Sequence, residues 1–366
     1  MRVMLQSNSS IGQTTGRLFS DLADRLRSEG VDAQLSLRSL PRGVLPKATA
    51  MVRHLRSGWG NVSRADALLV HSALSLSLPE ILIAKLTGIP VVAFVWDIYP
   101  ASTVEAGNMR DSRVIWLYAL TETIGLRAAN VILVPSEDYI PHLERYKSKV
   151  KVHPLWLNGN SADFVGQKVA GQVKLVFAGQ INAIRGIAQT LQAVRRLVPD
   201  EKIVLDIFSA DKLTEDVLSQ ASRDSQLIIR HQGFLAREHL LPRLMEYDFG
   251  VVAINHRFSL PAFPSKILTY VASGLPFLYS GPHMSGVAEL AATPCVGIVL
   301  EGRENRGQDL LSIRSEEFEA GRVNYYTKVA EAEGSLLEFL RTSMRQSEQR
   351  PSWWSIIQGK SALSGT

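Results

Sequence analysis

Cysteine is nearly absent from this chain. Cys295 is the only one in 366 residues, so no internal disulfide framework can form, and a reducing compartment is the natural setting. With Val296 beside it and no motif around it, Cys295 reads as a small buried hydrophobe. Long apolar runs are missing too. "GIPVVAFVWDIYP" is interrupted within about ten residues, well short of the roughly 20 that a membrane span needs. The N-terminal "MRVMLQSNSSIGQTTG" turns polar after five residues, unlike a secretory signal. These absences lead us to expect a non-spanning protein of the cytoplasm. Phosphate and metal signatures are also lacking: there is no dinucleotide fingerprint, no Walker lysine pattern, and no Asp-x-Asp or His-rich segment to hold Mg²⁺ or Mn²⁺. No metal or resident cofactor is expected.

What is present describes a folded globular protein, 46% apolar and 20% charged, too long for one ordinary core. Its two halves have the same construction. In the first, "RVMLQS", "DALLVHSA", "VVAFVWD" and "NVILVPS" read as strands, with helices between them. One helix carries Leu18, Leu22 and Leu26 on a single face before Gly30, another is "SLPEILIAKLTGIP", and a third is "RVIWLYALTETIGLRAA". The pattern restarts at "VKLVFAGQI" and runs through "KIVLDIFS", "LIIRHQGF", "FGVVAI" and "PFLYSG". Continuous apolar strands alternating with helices predict α/β domains with parallel sheets covered on both faces. The polar "LNGNSADFVGQKVAG" marks the boundary, giving an N-terminal domain over 1–165 and a C-terminal domain over 166–344.

In open parallel sheets, ligands sit beyond the carboxyl ends of the strands. Three loops there have suitable chemistry. "NSSIGQTTGR" brings Gly12 and Gly16 among hydroxyl residues. "AGQINAIRG" follows a strand, with Gly179 and Gln180 at its start and Arg185 and Gly186 at a helix start. "FPSKILTYVASGLP" sets Pro264 and a candidate N-cap, Ser265, before Lys266. A lysine at a helix N-terminus opposes the dipole by a few tenths of a kcal/mol, a penalty that reverses when a phosphate occupies that end. Two loops that each deliver one cation suggest a diphosphate held between them. A solvated surface cation is the plain alternative for each.

These segments resemble, in collinear order over nearly the whole chain, the family 4 glycosyltransferases, especially the branch building colanic acid, O-antigen and other exopolysaccharides. "FPSKILTYVASGLP" is similar to that family's Pro-Ser-Lys segment. "LVFAGQINAIRGIAQTLQAVRRL" is similar to the opening of its C-domain, "GFLAREHLLPRLMEYDFGVVAI" to its Gly-Phe…Asp-x-Gly stretch, and "GIPVVAFVWDIYPAS" to a strand and loop of its N-domain. "PSWW" resembles the start of its last helix. The resemblance implies a GT-B fold, two facing Rossmann-like domains with a C-terminal segment, here 345–366, returning to the N-domain. It also implies metal-free, retaining transfer from a nucleotide-diphosphate sugar. A metal-free site must stabilise the departing phosphate with fixed dipoles and cations. Lys266, Arg185 and the backbone of 265–267, Ser265 and Ile267 included, are expected in that role. Where many members carry two glutamates eight positions apart, this chain has Pro261 and Thr269. Thr269 retains a hydroxyl for a ribose. Gln180 stands where an arginine often follows the first glycine, which leaves Arg185 as that loop's cation.

On the N-terminal side, Asp97 in "VWDIYP" is expected to orient or deprotonate an acceptor hydroxyl, with Tyr99, Ser136 and Glu137 along the cleft. An Asx turn at Asp97 and helix capping at Ser136 and Glu137 are the structural alternatives. From Leu35 to Arg64 there are six Lys or Arg and no acid. Ala48, Met51, Val52 and Leu55 fall on one helical stripe, with Lys47, Arg53 and Arg56 off it and Trp59 after. That pattern suits a helix lying on anionic lipid, the reading the lack of any acid favours, with an amphipathic helix on its own sheet as the plain alternative. The first reading puts the protein peripherally on the inner face of the cell membrane and suits a polyprenyl-diphosphate-linked saccharide as acceptor. A GT-B-type nucleotide-sugar epimerase and a catalytically degenerate relative are the alternatives. A nucleic-acid partner is disfavoured, since the basic residues are not interleaved with aromatics along a reading element.

Overall fold

The structure is a computed structural model. It describes residues 1–10, 13–38, 49, 59–71, 73–156, 162–164, 171–182, 184–292, 296–301 and 313–348. Gly12, Lys47, Arg53, Arg56, Cys295 and the "PSWW" segment lie outside the described residues.

By its contacts the chain forms two units. The first comprises 1–135, 139–153 and 331–366; the second comprises 136–138 and 154–330. The first unit holds a parallel sheet of β1 (Arg2–Ser7), β2 (Asp32–Leu37), β3 (Ala67–His71), β4 (Val91–Phe94), β5 (Val131–Val134) and β6 (Val150–Val152), in the order β2-β1-β3-β4-β5-β6. Its helices are α1 (Thr14–Ser28), α2 (Leu78–Leu86), α3 (Ala101–Glu105) and α4 (Ser112–Ala128). β3, β4 and β5 are buried almost throughout, as strands covered on both faces must be. Leu18, Leu22 and Leu26 of α1 are buried as their spacing predicts.

The second unit repeats the plan with β7 (Gln172–Ala178), α5 (Ile187–Leu197), β8 (Lys202–Phe208), α6 (Glu215–Arg223), β9 (Leu227–His231) and α7 (Arg237–Leu244). It continues with β10 (Phe249–Ala253), α8 (Lys266–Ala272), β11 (Phe277–Ser280), α9 (Ser285–Ala292) and β12 (Gly297–Val299). The strand order is β12-β11-β10-β7-β8-β9, all parallel, which puts the change of direction between β10 and β7. One helix went unread in the sequence, α10 (Ser315–Glu348), 34 residues long. Its buried Phe318, Tyr325, Val329, Leu336 and Leu340 recur at alternating steps of seven and four, the signal that could have revealed it. Residues 315–330 of α10 belong to the second unit and 331–348 to the first, so the return begins well before residue 345. Within the first unit Arg25 pairs with Glu333 at 2.8 Å. Within the second, the Tyr325 hydroxyl donates to Leu155 O at 2.6 Å.

The contact division falls at 153/154, ahead of residue 165, because 154–164 is tied to the second unit. Ala162 N donates to Ala272 O at 2.9 Å, and Arg322 donates to Ala162 O. Gly274 belongs to the same join: its φ of +72° ends α8, and a Cβ there would lie 2.2 Å from Asp163 O.

Candidate active site

β7 and β10 pair only at Phe249–Leu175 and Gly250–Val176, then diverge toward their carboxyl ends. The ring of Tyr270 fills the gap. A Cβ on Gly250 would come within 2.4 Å of that ring, so only glycine admits it. The Tyr270 hydroxyl accepts from Ala178 N at 3.1 Å, satisfying a β7 amide that β10 no longer reaches. Lys266 precedes Tyr270 by one helical turn on the same face of α8 and is therefore held over the end of β7. Its Nζ lies 4.9 Å from the centre of the Phe177 ring. Gly179 follows with φ +138°, and a Cβ built there would stand 2.4 Å from both Cε and Nζ of Lys266. The glycine is thus required by backbone angle and by the lysine's passage.

Arg185 arrives from the β7–α5 loop, which is pinned at both ends. Ile181 N donates to Asp211 Oδ2 at 2.8 Å, and Asn255 N donates to Ile184 O at 2.6 Å. A Cβ on Gly186 would lie 3.1 Å from Ile254 O and 3.3 Å from Asn255 Cα, so α5 begins close against the end of β10. Burial, with Arg185 beside it, lowers the Lys266 pKa to about 7. Burial lowers that of Arg185 as well. The Arg185 Nε is buried without a hydrogen-bond partner.

Several other charges among the described residues do have a partner of opposite sign. Arg195 is paired with Asp224 at 2.6 Å, Arg230 with Asp206 at 2.6 Å, and Arg38 with Glu80. Among the described residues no carboxylate pairs with Lys266 or Arg185. Two adjacent, desolvated, uncompensated cations are unfavourable for the empty protein and complementary to an anion of two or more charges.

Sequence-predicted residues fall as follows. Gly179, Arg185, Gly186, Ser265, Lys266 and Thr269 gather at the carboxyl edge of the second sheet, with Gln180 exposed beside them. Ser265 is no side-chain cap: it already has helical angles (φ −58°, ψ −15°) and its side chain caps nothing. Ile267 is fully buried and its N–H donates to Pro264 O at 3.0 Å, so that amide is committed within the turn and is unavailable to a phosphate.

Asp97 lies three residues beyond β4 in the first unit, not on the strand. The surrounding protein raises its carboxyl pKa by desolvation, yet the residue is exposed, so water limits that rise. Tyr99 packs edge-on against Tyr118, with ring centres 5.4 Å apart, and burial pushes its phenol pKa up. Ser136 belongs by contact to the second unit, where its hydroxyl donates to Asp138 Oδ2 at 2.9 Å. Glu137 is exposed, and Trp59 is 43% exposed. His71 is neutral to about pH 3 through burial, packed on Phe19 and Trp96.

Sequence reasoning missed Tyr270 and Gly250, the pair that aims Lys266; a Tyr four residues after the lysine was the available sign. No helix among the described residues is long and apolar enough to cross a membrane.

No curated protein sequence matches the chain. Solved structures do match in fold. The apo form of the lipopolysaccharide outer core galactosyltransferase WaaB aligns with a TM-score of 0.60 at 10% identity, over 92% of this chain and 99% of its own. An E. coli structure described as trehalose-6-phosphate bound with UDP-2-fluoro glucose aligns with a TM-score of 0.57 at 10% identity, over 93% and 99%. A putative UDP-N-acetylglucosamine 2-epimerase from Listeria monocytogenes aligns at 0.56 and 9% identity, over 94% and 97%. Residues 14–156 match the profile of the Glycosyl transferase 4-like domain. The chain therefore has the GT-B fold of two Rossmann-like domains, with a Glycosyl transferase 4-like match in its first half.

Proposed function

We propose that the protein is a glycosyltransferase that moves a sugar from a nucleotide-diphosphate donor to an acceptor hydroxyl. The observation that carries this reading is the pair Lys266 and Arg185, neither paired with a carboxylate among the described residues, with Lys266 passing Gly179 where the second sheet changes direction. Nucleotides bind at such switch points in parallel sheets. Breaking the bond between sugar and diphosphate builds charge on the departing oxygen. Lys266 and Arg185 are preorganised to meet it and supply the role a metal would otherwise take. Thr269 offers a hydroxyl for the ribose. Asp97, exposed and with a raised pKa, serves the acceptor side by taking or orienting the hydroxyl proton. The fold likeness to a protein bound with UDP-2-fluoro glucose makes UDP the first nucleotide to test.

The acceptor we favour is a lipid-linked saccharide of surface polysaccharide synthesis, handled at the inner membrane face with retention at the sugar carbon. The outer face of α4 supports the membrane part. Trp116, Leu117 and Leu120 are 65%, 44% and 43% exposed, and Arg113 and Arg127 bracket them on that face. The one acid within α4, Glu122, is buried on the opposite side. An apolar stripe with a tryptophan, flanked by two arginines, matches the boundary of an anionic bilayer.

A thermal-shift screen with UDP, GDP, CDP and dTDP on wild type and Lys266→Ala tests the donor site. At 100 times its dissociation constant a bound ligand stabilises by about 2.7 kcal/mol. One diphosphate should shift the wild type and barely move the variant; no shift in either protein refutes the reading. The epimerase likeness favours a second reading, which predicts conversion of a UDP-sugar with no acceptor present.

A further inference from the structure

The β10–α8 loop runs over the carboxyl edge of the second sheet, and residues 255–265 contain no acid. It nevertheless has a carboxylate supplied from elsewhere. His256 Nε2 lies 3.1 Å from Oε1 of Glu301, the second residue after β12. Glu301 is fixed in turn. The same Oε1 accepts from Ser280 Oγ at 2.7 Å and from Gly281 N at 3.1 Å, both at the end of β11. A Cβ on Gly281 would lie 2.8 Å from the Tyr279 hydroxyl and 3.0 Å from Ile254 O, so glycine lets the ends of β10 and β11 close up beneath the pair. Glu301 Oε2 is buried and has no hydrogen-bond partner.

The pair stands next to the phosphate cradle. Asn255, one residue before His256, donates its N–H to Ile184 O, one residue before Arg185. Gly186 faces Ile254 O and Asn255 Cα. Any sugar joined to a diphosphate held by Lys266 and Arg185 begins within a few bonds of this loop. A neutral histidine whose Nε2 faces a carboxylate at 3.1 Å carries its proton there and leaves Nδ1 as an acceptor. Among the described residues nothing is hydrogen-bonded to that nitrogen. Structural closure of the strand ends needs Glu301, Ser280 and Gly281; it does not need a histidine.

We infer that His256, oriented by Glu301, is the residue that reads a hydroxyl of the donor sugar, with Nδ1 accepting the hydroxyl hydrogen and Glu301 as its positioning residue. This rests on the nucleotide-sugar reading above and assigns the sugar side of that site. A reader of this kind affects the sugar and leaves the nucleotide alone.

The experiment is isothermal titration of the full chain with UDP and UDP-glucose, and with GDP and GDP-mannose, for wild type, His256→Ala, His256→Asn and Glu301→Gln. The quantity read is the ratio of the two dissociation constants, nucleotide-sugar over bare nucleotide. For His256→Ala that ratio should rise at least about tenfold, the size of one lost hydrogen bond to a fixed partner, with bare-nucleotide affinity within about twofold of wild type. Glu301→Gln should move it the same way by less, and His256→Asn, whose side-chain amide oxygen can accept a hydroxyl hydrogen in place of Nδ1, should recover part of the loss. An unchanged ratio in His256→Ala overturns the inference, as does an equal fall in both affinities. If wild type binds neither nucleotide, the nucleotide-sugar reading fails and takes this inference with it, an outcome distinct from a failed ratio.

Discussion

On the proposed reading, Lys266 should link diphosphate binding to pH in a direction set by its burial. Its pKa is lowered from 10.5 to about 7, first by burial and then by Arg185. The sign follows from linkage: a base with a depressed folded pKa carries its full cost below about pH 7, and the cost fades as pH rises toward the unfolded value. At about 1.4 kcal/mol per unit the upper bound is near 5 kcal/mol, and since the side chain is only half-buried we expect a few kcal/mol. A bound diphosphate needs the protonated lysine. Above pH 7 the ligand must therefore bring a proton with it, and affinity should fall by up to about tenfold per pH unit. The phosphates do not confuse the result, because their last ionisation lies near pH 6. The assay is titration calorimetry with the diphosphate found by the screen, between pH 7 and 9, in buffers of differing ionisation heat. Proton uptake should approach one per ligand at the alkaline end. Lys266→Met should bind weakly with no pH slope, and the empty variant should be more stable than wild type at pH 7. Affinity that stays level from pH 7 to 9 without proton uptake would refute the argument.

Other consequences can be checked separately. Gly179→Ala should cost more binding than stability, because its Cβ would displace the end of Lys266 and strain a φ of +138°; a melt paired with nucleotide titration separates the two. Glu122 is buried, with its pKa raised to about 7 by desolvation against the N–H bonds it accepts from Ser75 and Leu74. An acid with a raised folded pKa loses stability as pH climbs above its unfolded value, so Glu122→Gln should be the more stable protein above neutrality by a few kcal/mol. Denaturant melts at pH 5 and 8.5 that show no difference between the two would contradict this. Replacing Trp116, Leu117 and Leu120 together by serine should cut sedimentation with phosphatidylglycerol vesicles at least about tenfold while leaving nucleotide binding alone. Equal sedimentation would remove α4 from the membrane reading.

The sequence made the repeat of strand and helix legible because parallel strands buried on both faces are written as unbroken apolar runs: "ALLVH", "VVAF" and "FGVVA" all proved buried. Shorter or edge elements escaped for the same reason. β2 alternates as Ala33, Leu35 and Leu37, and β6 and β12 are three residues each, so none presents a run. The cations Lys266 and Arg185 were legible as chemistry, since a lysine beside a helix start is unfavourable without an anion. The roles of Ser265 and Ile267 were not, because capping and amide commitment depend on angles the residue names do not carry.

Composition and pattern by themselves thus determined two α/β units and the loops that carry charge. Tertiary structure alone decided that Lys266 passes Gly179 close to Arg185 and that, among the described residues, no carboxylate pairs with either. It also decided that Glu301, 45 residues along the chain from His256, lies within 3.1 Å of it. The physical reason is that a partner's identity is set by where parallel strands end in space, and chain order does not encode that distance.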